Sequence, residues 1–138
     1  MRFIVFVKAS RESESGGMPD KKALMEMQKF NQKLADAGVM LAGEGLKPSS
    51  KGARIVFSNG TPKVTDGPFA ETKELVAGYW IVEVKSKDEV LDWMKKAPFD
   101  EGELEIRQIT EGEEFAYAPE VMEQDKRLRA QLAQRHRS

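Results

Sequence analysis

The chain has 138 residues, 40% of them hydrophobic, which is enough for one ordinary core and too little for two. Its 22 Lys and Arg residues stand against 23 Asp and Glu residues, and this net charge of -1 gives no reason to expect binding to nucleic acid or to an anionic membrane. The absence of cysteine excludes disulfides, thiol nucleophiles and thiolate metal sites, and it fits a reducing compartment.

The N-terminal segment predicts a buried strand at 2–8 and no membrane anchor. Its apolar run covers only five residues before Lys8, far fewer than a signal sequence or a membrane span requires. We therefore expect a soluble cytoplasmic protein. A polar loop follows, in which Gly16, Gly17 and Pro19 break regular structure.

Apolar residues at helical spacing predict a first helix that begins at Asp20 and ends at Gly38. A strand at 39–46 follows directly. It carries Glu44 between two glycines, and glycine inside a strand often marks the close approach of another group.

The middle of the chain predicts a projecting β-hairpin, because the strand-like segments ARIVFS and PKVTD flank Asn59-Gly60. A buried strand at 77–85 comes next. Ser86 and Glu89 then form a capping-box pattern that starts a second helix, and alternating apolar residues at 103–109 predict a half-buried strand.

The composition changes after Ile109, so we place one domain at 1–110 and a C-terminal extension at 111–138. The extension is acidic at first and then predicts a helix with a basic end, as the helix dipole favours. Its narrow apolar stripe could pack on its own subunit, on a second subunit or on another protein. Packing between or within subunits is preferred to RNA binding, because no aromatic residues interleave with the basic ones. The stripe consists of Val121, Leu128 and Leu132.

The order of these elements predicts an α+β fold. Without the hairpin it is βαββαβ, the ferredoxin-like arrangement, in which two helices cover one face of a four-stranded antiparallel sheet. The inserted β-hairpin and the C-terminal helical tail are additions to that core. The second face of the sheet is left without a cover.

Strand alternation predicts which polar side chains reach this open face. Tyr79 should lie there, with Glu105 and Arg107 from the last strand. Glu44 and Lys8 join them if the first and third strands keep register. If this face is enclosed, its charged side chains destabilise the fold unless they are paired or bind a ligand, which favours a ligand pocket. A face that is simply open to solvent is equally consistent with the residues alone.

Residues 65–74, TDGPFAETKE, combine turn formers with four charged side chains. For an isolated Asp-Gly-Pro-Phe tetrapeptide, a role in a turn is favoured over a role in a functional site by about two to one. However, Glu71 and Lys73 could be brought beside Asp66, and a carboxylate held near an ammonium and shielded from water is suited to proton transfer. A solvated charged turn is the plain alternative for Glu71 and Lys73, so Asp66 ranks ahead of them.

The run LAGEGLKPSSKGARIVFSNGTPKVTDGPFAETKELVAGYWIVEVKS, followed by EIRQI, closely resembles the YCII-related family, and specifically its branch named for the Asp-Gly-Pro-Phe (DGPF) motif. The resemblance covers roughly residues 2–109. It implies a dimeric α/β barrel, in which two ferredoxin-like subunits of a homodimer bring their open sheet faces together. Members of the wider family carry a paired His and Asp with the His on the first helix, but that helix has no histidine here, so a mechanism based on it is not expected.

Two functions remain open. As an enzyme, the homodimer would bind a small organic molecule between the sheet and the partner, with Asp66 or Glu44 as the acid or base. As a non-catalytic ligand-binding or regulatory dimer, it would sense a ligand in the same pocket, and the resemblance to domains found beside sigma-factor genes implies that this is reasonable. The ligand-binding candidates are Lys73, Glu71, Tyr79, Arg107 and Lys8.

We expect neither a metal nor a cofactor. The only histidine is His136 near the end of the tail, which leaves a histidine ligand or a Ser-His-Asp triad unsupported. The sequence has no dinucleotide fingerprint, no phosphate loop and no spaced Asp/Asn loop for a hard cation.

Overall fold

The computed structural model describes residues 1–136 and has an α+β architecture with antiparallel sheets. The chain divides into two compact units, Met1–Gln108 and a C-terminal unit that begins at Ile109. The elements in chain order are β1 (Arg2–Lys8), α1 (Arg11–Glu14), α2 (Lys21–Asp36), β2 (Met40–Gly45), β3 (Ala53–Ser58), β4 (Thr61–Asp66), β5 (Val76–Glu83), α3 (Lys87–Met94), β6 (Leu104–Gln108) and α4 (Pro119–Arg135). Short 3-10 helices lie at Ser49–Lys51, Thr72–Glu74 and Gly112–Phe115.

The main sheet has four antiparallel strands in the order β2-β5-β1-β6. Helices α2 and α3 supply buried residues to the same core as the strands, so both cover one face, as predicted. Strand alternation accounts for this arrangement, because successive side chains of β1 and β5 point to opposite faces. The core consists of Phe3, Val5, Phe30, Leu34, Val39, Trp80, Val82, Val84, Val90 and Met94.

Trp80 is the largest side chain of this core and explains one of the strand glycines. A Cβ atom on Gly43 would lie 2.9 Å from a Trp80 ring carbon, so the indole requires glycine at that position. The indole N–H donates a hydrogen bond of 2.8 Å to Asn31 Oδ1, and the ring meets Phe30 edge to face, with 5.7 Å between ring centroids. The buried indole therefore keeps a polar partner.

Helix α2 has the ends that the sequence predicts. The Asp20 carboxylate accepts a hydrogen bond of 2.7 Å from the Ala23 N–H group and caps the first turn. Gly38 follows the last turn with φ of +72°, a left-handed conformation that glycine adopts without a steric penalty.

The hairpin is also confirmed. Asn59 and Gly60 have φ values of +52° and +80°, the pair of left-handed residues that a two-residue hairpin turn requires. Strands β3 and β4 form a separate two-stranded sheet, and all residues of both strands are exposed.

Two local features differ from the sequence-based expectation. The segment after β1 is not only loop, because Ser10 and Ser13 cap each other reciprocally and hold the single turn of α1. At the start of α3, the Ser86 hydroxyl accepts from the Glu89 N–H group as expected, but the Glu89 carboxylate accepts from the Lys85 N–H group. In a capping box this carboxylate would accept from the N–H group of Ser86, so the bond is displaced by one residue toward the N-terminus.

The C-terminal unit contains the predicted tail helix, α4, preceded by the 3-10 helix at Gly112–Phe115. No residue of α4 is buried. Within residues 1–136, no helix has both the length and the apolar character needed to cross a membrane.

Candidate functional site

The Asp-Gly-Pro-Phe turn follows directly from the end of β4 and is held by hydrogen bonds to the 3-10 turn that precedes β3. The Gly67 N–H group donates to the Gly52 carbonyl oxygen at 3.0 Å, and the Phe69 N–H group donates to Ser49 Oγ at 3.1 Å. The peptide bond between Gly67 and Pro68 is cis. The two turns are therefore fixed to each other by one backbone–backbone bond and by one bond to the Ser49 side chain.

Gly67 is required by packing. A Cβ atom on this residue would overlap the backbone carbonyl oxygen of Ser49 and would lie 2.6 Å from its carbonyl carbon. Because these are backbone atoms, a rotamer change cannot relieve the contact. The glycine thus permits the close approach of the Ser49 turn.

Ser49 also connects this pair of turns to the segment after β1. Its hydroxyl donates a hydrogen bond of 2.5 Å to one carboxylate oxygen of Glu14, and its N–H group donates one of 2.9 Å to the other. The same hydroxyl accepts from Phe69, so Ser49 joins three chain segments. We call Glu14, Ser49 and Phe69 the Ser49 clasp. The hydrogen bonds from Ser49 favour the charged carboxylate and hold the pKa of Glu14 below its ordinary value of 4.5.

Arg54 packs against the outside of the turn. Its guanidinium carbon lies 3.8 Å from the centroid of the Phe69 ring, which is a cation–π contact, and its Nη1 atom lies 4.0 Å from a Glu71 carboxylate oxygen. Glu71 is therefore near the turn, but its cationic partner is Arg54.

Asp66 is exposed and lies opposite Ala53 in the hairpin register. Within residues 1–136 its side chain makes no hydrogen bond or ion pair, and Lys73 forms no ion pair with it. The turn is held instead by Ser49 and Gly52. Within the described residues, Asp66 and Lys73 thus form no ion pair, and their joint role in a site stays a prediction.

A second group of polar residues lies on the face of the main sheet that α2 and α3 leave open. Strand pairing places Glu44, Tyr79, Phe6 and Glu105 side by side across all four strands, and we call them the cross-sheet row. All four side chains point to the same face, because directly paired residues of antiparallel strands do so. Glu44 and Tyr79 thus lie together, as the predicted register requires.

Lys8 and Arg107 extend the cross-sheet row at the Glu105 end. The Lys8 ammonium nitrogen lies 3.3 Å from one carboxylate oxygen of Glu105, and Arg107 Nη1 lies 3.7 Å from the other. The Lys8 side chain is only 18% exposed, whereas Arg107 points into solvent. Two cations therefore share one carboxylate, which leaves an excess of positive charge at the Glu105 end of the row.

The structure thus separates the candidate residues into two groups. Asp66, Glu71 and Lys73 belong to the hairpin and its turn, whereas the other candidates belong to the open face of the main sheet. No hydrogen bond or ion pair joins the two groups within the described chain. Among residues 1–136, no three His, Asp or Glu side chains form a group that could hold a metal ion.

Comparison with known protein families shows which family this chain belongs to. The model of the YCII-related domain matches residues 1–113. The chain belongs to the YCII-related family. This confirms the family inferred from the sequence.

Two individual proteins are similar to this YCII-related protein. An uncharacterized protein of Rhizobium meliloti (strain 1021) is 31% identical over 93 residues, which cover 65% of this chain and 75% of that protein. The 5-chloro-2-hydroxyhydroquinone dehydrochlorinase of Burkholderia phenoliruptrix AC1100, solved in complex with 2,5-dihydroxybenzoquinone, matches with a TM-score of 0.47 and 15% identity. That match covers 83% of this chain and 98% of the dehydrochlorinase, and it is too distant to bear on function.

Sequence reasoning missed Glu14, Ser49 and Arg54. Glu14 and Ser49 are 35 residues apart, and neither stands in a motif with the other, so no local pattern points to their hydrogen bonds. For Glu105 the alternation predicted the correct face, but only the structure shows that it is shared by Lys8 and Arg107.

We expect Gly67→Ala to destabilise the protein by about 1–3 kcal/mol, as for other overpacked sites, because the new methyl group meets the Ser49 backbone. Gly45→Ala is the matched control, since no atom lies within 4 Å of the position that its new methyl group would take. The measurement is urea unfolding followed by tryptophan fluorescence. Equal unfolding midpoints for the two variants would contradict the close approach of the two turns.

The Ser49 clasp should weaken in acid. Because the pKa of Glu14 is lowered on folding, its contribution to stability is present above the ordinary value of 4.5 and is lost as the pH falls through the lower folded value. Wild type should therefore be more stable than Glu14→Gln at neutral pH, and this difference should shrink below about pH 4.5. The free energy of unfolding of both proteins is measured across a pH series. Glu12→Gln, on the same helical turn, is the control, and a pH-independent difference for Glu14→Gln would refute the role of its charge.

Proposed function

We propose that this YCII-related protein is a homodimeric enzyme that acts on a small organic anion held on the open face of its main sheet. The single observation that carries the proposal is the cross-sheet row with the two cations at one end and a carboxylate, Glu44, at the other. Aromatic rings, paired cations and a carboxylate are the components of a site that orients an anion and transfers a proton.

We further propose that the homodimer is a dimeric α/β barrel of ferredoxin-like subunits. The strand order β2-β5-β1-β6, with all neighbours antiparallel and two helices on one face, supports the ferredoxin-like arrangement. A second copy placed on the open face would shield the row from water. The ion pairs of Lys8 with Glu105 would then strengthen, because charges interact more strongly at low dielectric.

Two residues of the cross-sheet row and the two cations beside it have distinct proposed roles. Lys8 and Arg107 bind the anionic group of the ligand, which balances the excess positive charge around Glu105. Tyr79 orients the ligand through its hydroxyl group. Glu44, which is paired with Tyr79 in the register, is the acid or base.

Asp66 is the second acid-base candidate. Its carboxylate is exposed and has no partner among residues 1–136, while the turn beside it is fixed by the Ser49 clasp. A free carboxylate on a rigid support suits proton transfer with a bound molecule. Lys73 and Glu71 are proposed as ligand contacts at this turn.

A non-catalytic regulatory dimer is the second candidate function, and the hairpin is the observation that favours it. Ile55, Phe57 and Val64 are large apolar residues on one face of the hairpin, and all are exposed. Such a face suits contact with another protein. A regulator, acting beside a sigma factor as the family resemblance implies, would bind the same ligand without turning it over.

The first test concerns assembly. Static light scattering should give twice the 15.5 kDa chain mass at micromolar concentration. Tyr79→Asp and Ile81→Asp, which place a new charge on the open face, should weaken the dimer by raising its dissociation constant at least about tenfold. Lys87→Asp adds the same carboxylate at an exposed helix position and should leave assembly unchanged. A monomeric wild type would refute the dimeric α/β barrel.

The second test concerns the ligand and the carboxylates. A panel of small organic anions is screened by thermal shift and by turnover. Lys8→Met should lower the affinity for any bound anion about tenfold or more, as for the loss of a hydrogen bond to a charged group, whereas Lys85→Met should not. Glu44→Gln or Asp66→Asn should retain binding and lose turnover, with stability changed by no more than about 0.5 kcal/mol at these exposed sites.

Three outcomes of this screen are informative. Turnover that survives both carboxylate substitutions refutes the acid-base assignment. Binding without any turnover favours the regulatory dimer. Binding that is unaffected by Lys8→Met places the ligand somewhere other than the open face.

A further inference from the structure

The tail helix α4 carries an unburied apolar stripe and a strong separation of charge. Val121, Leu128 and Leu132 are 48%, 52% and 44% exposed, and at 3.6 residues per turn they lie on one side of the helix with Asp125 between them. A helix of 17 residues is only marginally stable in water without packing. The 3-10 helix at Gly112–Phe115 contacts α4, with Gly112 beside Asp125, but the three apolar side chains remain exposed, so a partner for them is expected.

The charges of the tail divide at a single point in the sequence. Residues 111–125 contain six acidic residues and no Lys or Arg, whereas residues 126–138 contain five Lys and Arg and no acidic residue. The acidic residues are Glu111, Glu113, Glu114, Glu120, Glu123 and Asp125, and the basic residues are Lys126, Arg127, Arg129, Arg135 and Arg137. The helix dipole favours this order of signs, but it does not account for the apolar stripe.

We propose that α4 pairs in antiparallel orientation with α4 of a second copy of this chain. Antiparallel pairing places the acidic half of each helix against the basic half of the other, whereas parallel pairing would align like charges. A contact of this kind is symmetric, because the same surface serves both partners. The family match ends at residue 113, so the contact belongs to the part of the chain outside the family domain.

The spacing of the stripe defines the register. If the two helices overlap along all but one residue, so that Pro119 lies opposite Gln134 of the partner subunit, Val121 lies opposite Leu132 of the partner subunit and Asp125 lies opposite Leu128 of the partner subunit. Asp125 is the one polar residue between the stripe residues, and its carboxylate is already bonded to Arg129 at 3.4 Å. A single polar residue in such a seam sets the register at some cost in stability.

The helix pair is an accessory contact. Two helices of about 25 Å bury less surface than a stable interface needs. The inference therefore rests on the homodimer of the proposed function. Its test measures whether the two helices lie close together, so that the helix pair can be refuted while the homodimer stands.

The natural absence of cysteine permits a direct test by cross-linking. Val121→Cys and Leu132→Cys copies are prepared separately and then mixed, refolded together and treated with a short bismaleimide. The mixture should cross-link, because the two positions are opposite each other. Each variant alone should cross-link several-fold less, since like positions are about 16 Å apart along an antiparallel pair.

Glu123→Cys mixed with Ala130→Cys is the matched control. These positions share the same axial register but lie on the opposite side of the helix, so this mixture should not cross-link above background. Circular dichroism checks that all variants keep their helical content.

Each alternative result overturns a defined statement. Efficient cross-linking of Val121→Cys alone would show a parallel pair and refute the antiparallel one. A dimer by light scattering without a cross-link in the Val121→Cys and Leu132→Cys mixture would refute the helix pair and leave the sheet-face dimer intact; the helix would then pack on its own subunit or on another partner. A monomer without any cross-link would refute both.

Discussion

Helices α2 and α3 cover one face of the four-stranded sheet, and the distribution of side chains in the domain depends on that one-sided packing. Val5, Trp80 and Val82 are buried on the covered face. Because side chains alternate along a strand, the neighbours of these residues in β1 and β5 must point to the opposite face. Polar and charged residues there can meet solvent, a ligand or a second subunit. The cross-sheet row is thus a direct consequence of the packing of the hydrophobic core.

The Asp-Gly-Pro-Phe turn shows a different kind of constraint. Its position depends on two hydrogen bonds, from the Gly67 N–H group to the Gly52 carbonyl oxygen and from the Phe69 N–H group to the Ser49 hydroxyl, and on the absence of a side chain at residue 67, which would collide with the Ser49 backbone. The Glu14 carboxylate then binds Ser49 and fixes the segment after β1 to the same point. Asp66 is thereby held at the edge of a rigid turn while its own side chain makes no hydrogen bond or ion pair to residues 1–136.

The two candidate groups differ in how their charges are balanced. On the open face, Lys8, Arg107 and Glu105 already neutralise one another in part, so an added anion would complete the balance. On the hairpin, Arg54 takes Glu71 as its counterion, and within residues 1–136 Asp66 and Lys73 form no ion pair with each other. The tail has a third pattern, in which opposite charges are sorted along the chain and two pairs meet within α4, Glu123 with Arg127 and Asp125 with Arg129.

The sequence by itself determined most elements and the assignment of faces, because helix ends, the Asn59-Gly60 turn and strand alternation depend on neighbouring residues. It therefore predicted that Glu44 and Tyr79 share a face and that Asn59 begins a hairpin turn. It did not determine the partners of the charged residues. Glu14 meets Ser49, and Arg54 meets Glu71 and the Phe69 ring, only because folding brings together segments that are apart in the chain. Only the tertiary structure decided these contacts, since they depend on distances that no local pattern of residues records.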